Sequence, residues 1–306
     1  MCPENENQEL VFHKPVLMNE VLQYMNPQEG KTYLDVTFGT GGHTKALLQA
    51  APTCKVIAMD WDSVTLEKYG NPLLDEFGSR LSLVWGNFSN LYKILKNERI
   101  TKIDGILADF GTSQIQIADR AGLSFAKNTP LDMRMSPAHQ QVTAEQVVNK
   151  FTELKLRQLF WQLGDEPHAK EIAHAILQER VKHKRQIKTT GHLVEIINRV
   201  VPFNRRARIH PATRVFQALR IYVNHELDNI HSFLPAALSA LQPNGNLVCI
   251  SFHSLEDRIV KSYFQEQEGL GTLEILTPKV VIAGEQELHD NPSARSAKLR
   301  AAKKIS

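Results

Sequence analysis

Cysteine is scarce in this chain: three in 306 residues, Cys2, Cys54 and Cys249, with no C-x-x-C pair among them. Thiols so widely spaced form neither a disulfide framework nor a zinc cluster, and they suit a reducing cytoplasm. Long apolar runs are missing as well. No stretch approaches the roughly 18 uninterrupted apolar residues that a membrane-spanning helix needs. The first ten residues, MCPENENQEL, are polar and acidic and lack the apolar centre of a secretion signal. A cytoplasmic protein with no membrane partner is expected. The 12 histidines include no H-x-x-x-H pair that would set two imidazoles on one helical face, so no metal is expected. Net charge is also small, 36 Lys and Arg against 33 Asp and Glu, a formal +3. What is present is 42% hydrophobic residues, enough for a real core, which rules out disorder of the whole chain. The length allows one large domain or two, and leaves monomer and homodimer alike open.

Short apolar runs at 32–38, 55–60, 81–85 and 104–109 read as buried strands. Helical stretches at 44–50, 63–69 and 90–97 lie between them, and 15–24 is a further helix ahead of the first. Such alternation implies βαβ units and a parallel sheet covered on both faces, with ligands at the carboxyl ends of the strands. The pattern breaks at about 136. From there to 209 only helical periodicity remains, at 144–163, 167–181 and 190–200, with Thr143 and Gln146 forming a capping box. Sheet character then resumes: a helix from 212 to about 241, a turn at Pro243-Asn244-Gly245, a strand at 246–252 and a helix at 255–266. A closing hairpin is expected from 272–276 and 279–283. The expected architecture is therefore a discontinuous α/β domain, 1–135 and 210–306, with an all-α domain at 136–209 inserted between its fourth and fifth strands.

The strongest local word is Leu34-Asp35-Val36-Thr37-Phe38-Gly39-Thr40-Gly41-Gly42-His43, a strand entering a glycine-rich turn and then a helix. Glycine permits positive φ and close approach of a ligand to the backbone. The next strand ends in Ala58-Met59-Asp60, and an acid at this spacing is where a Rossmann-like fold holds ribose hydroxyls. The turn reads G-x-G-G-H, so the dinucleotide fingerprint is incomplete. An adenosyl ligand without a pyrophosphate, such as S-adenosylmethionine, fits better than a nicotinamide dinucleotide because it needs less anion binding at the helix N-terminus. Asp35 and Asp109, both at strand ends, are candidates to face a cationic sulfonium.

Long words in a fixed order carry a resemblance over almost the whole chain. They are His13-Lys14-Pro15-Val16-Leu17, Thr37 to His43, Asp104-Gly105-Ile106-Leu107-Ala108-Asp109-Phe110-Gly111, Pro130-Leu131-Asp132-Met133-Arg134-Met135 and His210-Pro211-Ala212-Thr213-Arg214. Further on come Phe216-Gln217-Ala218-Leu219-Arg220-Ile221, Ser251 to Lys261, and Asn291 to Arg300. In these the chain resembles the bacterial ribosomal RNA small subunit methyltransferase H family, enzymes that methylate N4 of cytosine 1402 in 16S rRNA. The resemblance implies a class I S-adenosylmethionine-dependent methyltransferase (Rossmann-like) fold with an inserted all-α domain, and 16S rRNA of the small ribosomal subunit as partner. It implies S-adenosylmethionine contacts at Gly41, Gly42, His43, Asp60, Phe88, Asp109 and Gln116, with Phe88 packing on the adenine. The family's Gly-Val-Ser-Ser-Pro-Gln is here Gly111-Thr112-Ser113-Gln114-Ile115-Gln116, so Gln114 rivals Gln116 for the last contact. A residue is also inserted at Arg120-Ala121-Gly122-Leu123-Ser124-Phe125.

The amine of cytosine is a poor nucleophile, so its methylation calls for positioning and for an acceptor of the N4 protons. Asp109 is the candidate catalytic residue. Methylation at carbon 5 would instead need a cysteine nucleophile. Cys54 at the start of one strand and Cys249 inside another are not placed for that. His253 and Ser254 end the fifth strand, as a turn and helix cap or as contacts to a target base. Asp132 and Arg134 offer an internal ion pair or an RNA contact. The cations concentrate in two places. Ten lie between Arg180 and Arg214, Arg205, Arg206 and Arg208 among them, opposed there only by Glu195. Five follow in the tail, Arg295, Lys298, Arg300, Lys303 and Lys304, with no acid after Asp290. Phosphate binding is the expected use of both segments.

Overall fold

The computed structural model describes residues 14–111, 120–137, 140–202 and 209–305. It divides into two compact units, Met1–Phe110 with Phe233–Ser306, and Gly111–Ser232. The expected limits at 135/136 and 209/210 both fall inside the second unit. The observed boundary at 232/233 lies within a helix, Glu226–Ala240, that periodicity alone had no reason to divide.

The first unit holds a seven-stranded sheet of order β3-β2-β1-β4-β5-β7-β6. Its strands are β1 (Thr32–Asp35), β2 (Lys55–Asp60), β3 (Leu81–Trp85), β4 (Ile103–Asp109), β5 (Leu241–Ser251), β6 (Leu273–Ile275) and β7 (Lys298–Lys304). β1 to β5 pair in parallel, and β7 runs antiparallel between β5 and β6. The central strands are near-continuous apolar runs because both faces are covered. Leu34, Ala58, Ile106, Leu107, Ala108, Val248, Cys249 and Ile250 are all fully buried. The helices of this unit ahead of β4 are α1 (Met18–Met25), α2 (Gly42–Ala50), α3 (Ser63–Phe77) and α4 (Leu91–Asn97). The reversal of strand order beside β1 creates the crevice where ligands of such sheets bind.

The second unit is helical in its described residues: α5 (Ala144–Lys150), α6 (Glu153–Gly164), α7 (Ala169–Val181), α8 (Thr190–Val200) and α9 (Ala212–Asn224), with α10 (Glu226–Ala240) beginning in it. Its core is its own, built on Leu131, Val147, Leu156, Phe160, Ile172, Ile176, Leu193, Ile197, Phe216 and Leu219. The capping box at Thr143 and Gln146 is present. The single helix expected at 144–163 is two. Phe151 leaves helical geometry and the Thr152 side chain accepts from Lys155 N to begin α6. The long helix expected from 212 is likewise broken, by His225 at φ 53 between α9 and α10.

The end of the chain differs most from expectation. The runs 272–276 and 279–283 form no hairpin. β6 pairs with β7, and Val281 makes only an isolated bridge to Leu299. The basic tail supplies the strand, because Leu299, Ala301 and Ala302 are buried and provide its apolar content. The turn expected at 243–245 is a bulge within β5, where Ile103 faces Leu241 but Gly105 faces Asn246. The helix after β5 is α11 (Ser254–Gly269), and the short α12 (Glu285–Asp290) precedes β7.

Candidate active site

The site is built at the carboxyl ends of β1, β2 and β4. Asp35 closes β1 and is almost wholly buried. Its Oδ2 accepts from Thr44 Oγ1 at 2.7 Å and its Oδ1 from Thr37 N at 3.1 Å. Burial pushes the Asp35 carboxyl above its usual range, against the pull of these bonds. The chain then enters the glycine turn with Gly39 at φ 53 and Gly41 at φ 79. A side chain at Gly41 would lie 2.5 Å from Leu73 and 2.7 Å from the Phe38 ring, and one at Gly42 would meet Pro15 at 2.8 Å. Gly41 therefore answers two demands at once, a left-handed backbone and a close packing contact. Where a dinucleotide fingerprint would carry its third glycine stands Thr44, buried and bonded to Asp35.

Asp60 ends β2 and is 7% exposed. Its Oδ2 accepts from Gly39 N and its Oδ1 from Asp62 N, both at 2.8 Å. These bonds fasten the glycine turn to the neighbouring strand. Each carboxylate oxygen keeps acceptor capacity for a further donor. Burial pushes Asp60 up to about 6, partly offset by the two backbone donors. The cap of α3 is Asp62, whose side chain accepts from Val64 N and Thr65 N; Asp60 is not used for that purpose.

Asp109 ends β4, and its backbone N–H donates to Thr37 Oγ1 at 2.7 Å. His43, the second residue of α2, brings Nε2 to 3.7 Å from Asp109 Oδ2. That is about half an ångström beyond a hydrogen bond. Both His43 ring nitrogens and Asp109 Oδ1 are buried without a hydrogen bond among the described residues. Buried polar atoms are rarely left so, since each costs about 1–3 kcal/mol. A ligand with polar groups at this point would satisfy them.

Phe88 opens a short turn after β3, held by Asn87 Oδ1 accepting from Ser89 N. Its ring is half-buried, 5.8 Å from Phe110 and 5.5 Å from Phe233, which are themselves buried. One aromatic thus remains partly open at the edge of a closed trio. The structure therefore brings Gly41, Gly42, His43, Asp60 and Asp109 to adjoining strand ends of one unit, with Phe88 following the next strand. Gln116 and Gln114 lie outside the described residues. Thr37 and Thr44, which hold Asp109 and Asp35, went unsingled in the sequence. Their signal was position, two and nine residues after Asp35.

Asp132, Arg134 and His253 are each tied into the fold. Arg134 grips Asp132 through two nitrogens at 2.7 and 2.8 Å and donates to Gln140 O, and this bond holds the Asp132 carboxyl below its usual range. His253 caps α11, its side chain accepting from Glu256 N while Glu256 accepts from the backbone of Phe252 and His253. Cys54 is buried and bonded to Leu47 O, and burial pushes the thiol of Cys249, inside β5, far up. Neither is a nucleophile.

The MraW methylase family model matches residues 10–305. A protein of Ehrlichia ruminantium named ribosomal RNA small subunit methyltransferase H is 41% identical over 96% of this chain and 100% of its own length. One of the same name from Thermomicrobium roseum is 42% identical over 96% of this chain and 94% of its own. Among solved structures, NSun6 from Pyrococcus horikoshii is a faint likeness, 13% identical with a TM-score of 0.47, covering all of this chain and 57% of that one. No described helix is long and apolar enough to cross a membrane. The chain belongs to the MraW methylase family, as an S-adenosylmethionine-dependent methyltransferase of class I fold alongside relatives named ribosomal RNA small subunit methyltransferase H.

Proposed function

We propose that this protein methylates N4 of cytosine 1402 in 16S rRNA. The observation that carries the reading is the set of buried, unsatisfied atoms formed by both ring nitrogens of His43 and Oδ1 of Asp109, where α2 begins and β4 ends, in a chain whose family is that of the small-subunit rRNA methyltransferases. The residues fit S-adenosylmethionine. Asp60 would accept from the two ribose hydroxyls, Phe88 would offer its open face to the adenine, and Gly41 and Gly42 would admit the ligand against the backbone. His43 and Asp109 would meet the methionine part, and Gln116, with Gln114 as rival, would complete the set. When bound, this cofactor supplies an electrophilic methyl group on a cationic sulfonium.

The protein's own contribution is positioning and proton handling. The Asp109 carboxylate, held at its backbone by Thr37, would accept a hydrogen bond from the N4 amine. That bond would orient the nitrogen lone pair and take up the proton released on transfer. A charged carboxylate at this point also favours a cationic ligand before transfer over the neutral thioether after it. The unit carrying the sheet would do this chemistry, and the helical unit would recognise RNA in the cytoplasm.

The deciding experiment is mass spectrometry of 16S rRNA from a strain lacking this gene, with and without the gene restored. N4-methylcytosine at position 1402 is expected only when the gene, or a copy with intact Asp109, is present. Identical methylation in both strains would remove the assignment.

A further inference from the structure

We propose that the loop joining α7 to α8 forms a phosphate-binding cleft that grips the backbone of the RNA substrate through Lys184 and Arg185, with Lys182 adding positive charge on the same loop. This rests on the RNA-methyltransferase reading and names a point of contact within the helical unit. The cleft has a volume of about 270 Å³ and is lined by Asn149, Arg180, Val181, Lys184, Arg185 and Gln186. A hydrated phosphate and part of its sugar fit such a space.

Three features set this loop apart from an ordinary solvated charge run. Its backbone is fastened at both ends. Lys182 N and His183 N donate to Gln178 O, and Arg185 N donates to Glu179 O. Asn149 then clamps Ile187 from both sides, accepting from its N–H at 3.0 Å and donating to its carbonyl at 2.8 Å, while the Ile187 side chain is fully buried. A loop already ordered loses little entropy when a ligand binds.

The second feature is charge that is compensated only in part. Lys182, Lys184, Arg185 and Lys188 are exposed, and no acid occurs between Arg180 and Val194. Glu179, the carboxylate that meets Arg185, is only 2% exposed and is occupied by His192 at 3.0 Å and Arg199 at 2.9 Å. Arg185 reaches it at 3.6 Å with its side chain 67% exposed. The carbonyls that end α5 do not make the rim electronegative, because Arg180 donates to those of Val148 and Phe151.

The third is backbone geometry. Lys184 adopts φ 52, a left-handed conformation that costs a side-chain-bearing residue about 1–2 kcal/mol. Glycine would avoid that cost. A lysine there sets an ammonium at the cleft instead, which is the kind of strain found at functional positions. Fixed cations spread over a loop suit a polyanion, and each neutralised phosphate should add to the salt dependence of binding.

The test uses the full-length protein and a labelled RNA hairpin spanning the target cytosine, with affinity measured by fluorescence anisotropy from about 50 to about 200 mM chloride. Lys184→Gly removes the ammonium and relieves the backbone strain, so it should fold at least as well as the parent. Alone it should weaken RNA binding severalfold at low salt. Combined with Lys182→Ala and Arg185→Gln, the loss should reach about tenfold, with the salt slope shallower by about one to two. Cofactor affinity by calorimetry and kcat at saturating RNA should stay unchanged while KM for RNA rises. Unchanged affinity and slope in the triple variant would overturn the cleft, and so would a fall in kcat at constant KM. Displacement of RNA by inorganic phosphate well beyond that by chloride of equal ionic strength would reassign the cleft to free phosphate. Loss of affinity for an acidic protein partner but not for RNA would reassign it to that partner. A parent protein that binds RNA with the expected slope yet methylates no cytosine would overturn the methyltransferase reading and leave the cleft standing.

Discussion

Two seven-residue segments of this protein carry the same charge and meet opposite fates. Lys182 to Lys188 and Lys298 to Lys304 each hold four lysines and arginines and no acid. The second is strand β7, inserted between β5 and β6. Arg300 lies only 12% exposed and bonds Asp257 through two nitrogens at 2.6 and 3.1 Å. Lys303 pairs with Glu274 at 2.9 Å. Lys304 donates to the carbonyls of Leu238 and Leu241 at the end of α10, where cations are favoured by the helix dipole. The loop at 182–188 buries one side chain, Ile187, and shares one carboxylate, Glu179. Three buried apolar residues against one make the difference. They draw the tail's backbone into the sheet, and its cations must then find partners inside the protein.

The contrast can be broken from either side. The largest effect is expected in the strand. Arg300→Ala leaves the partly buried Asp257 without its partner and should lower stability by about 2–3 kcal/mol in urea unfolding, with the salt slope of RNA binding unchanged. A shallower slope with intact stability would make the tail an RNA contact after all. Next is Glu179, the acid beneath the loop, whose bonds to His192 first and Arg199 second hold its carboxyl below the ordinary value of 4.5. A group with a depressed folded pKa contributes stability that is complete above the unfolded value and is lost as pH falls through the folded one. Unfolding midpoints followed from pH 7 down to about pH 3 should therefore fall less in Glu179→Gln than in the parent, and at pH 7 that variant should be less stable by about 1–3 kcal/mol. Equal pH dependence in the two would show that Glu179 does not anchor the loop. The smallest effect is that of Lys304→Met, about 1 kcal/mol for the lost carbonyl bonds, with no change in RNA affinity.

Much of the first unit was legible in sequence because its signals are short in range. β2 and β3 begin and end where their apolar runs do, although only β2 is mostly buried and β3, at the sheet edge, is half open. The glycine turn, Asp60 and Asp109 follow from strand ends and fixed spacing, and the capping box at Thr143 needs only three residues. What was not legible depended on distant partners. Asp62, not Asp60, caps α3, a choice between two acids that composition leaves equal and that Gly39 decides by claiming Asp60. The break at His225 accompanies Asn224, whose side chain donates to Met133 O and accepts from Gln140, both more than eighty residues away in sequence. The limits of the helical unit moved for a similar reason, because Leu131, Met133 and α9 pack into its core.

By itself the sequence determined the alternation of strands and helices, the turn that can admit a cofactor and the acids at the strand ends. Each of these follows from periodicity or spacing within a few residues. The tertiary structure alone decided which positive charges remain available to a ligand. Availability depends on whether apolar neighbours carry a backbone into the sheet and whether a carboxylate from elsewhere in the chain arrives to meet each cation, and neither is written in the segment that bears the charge.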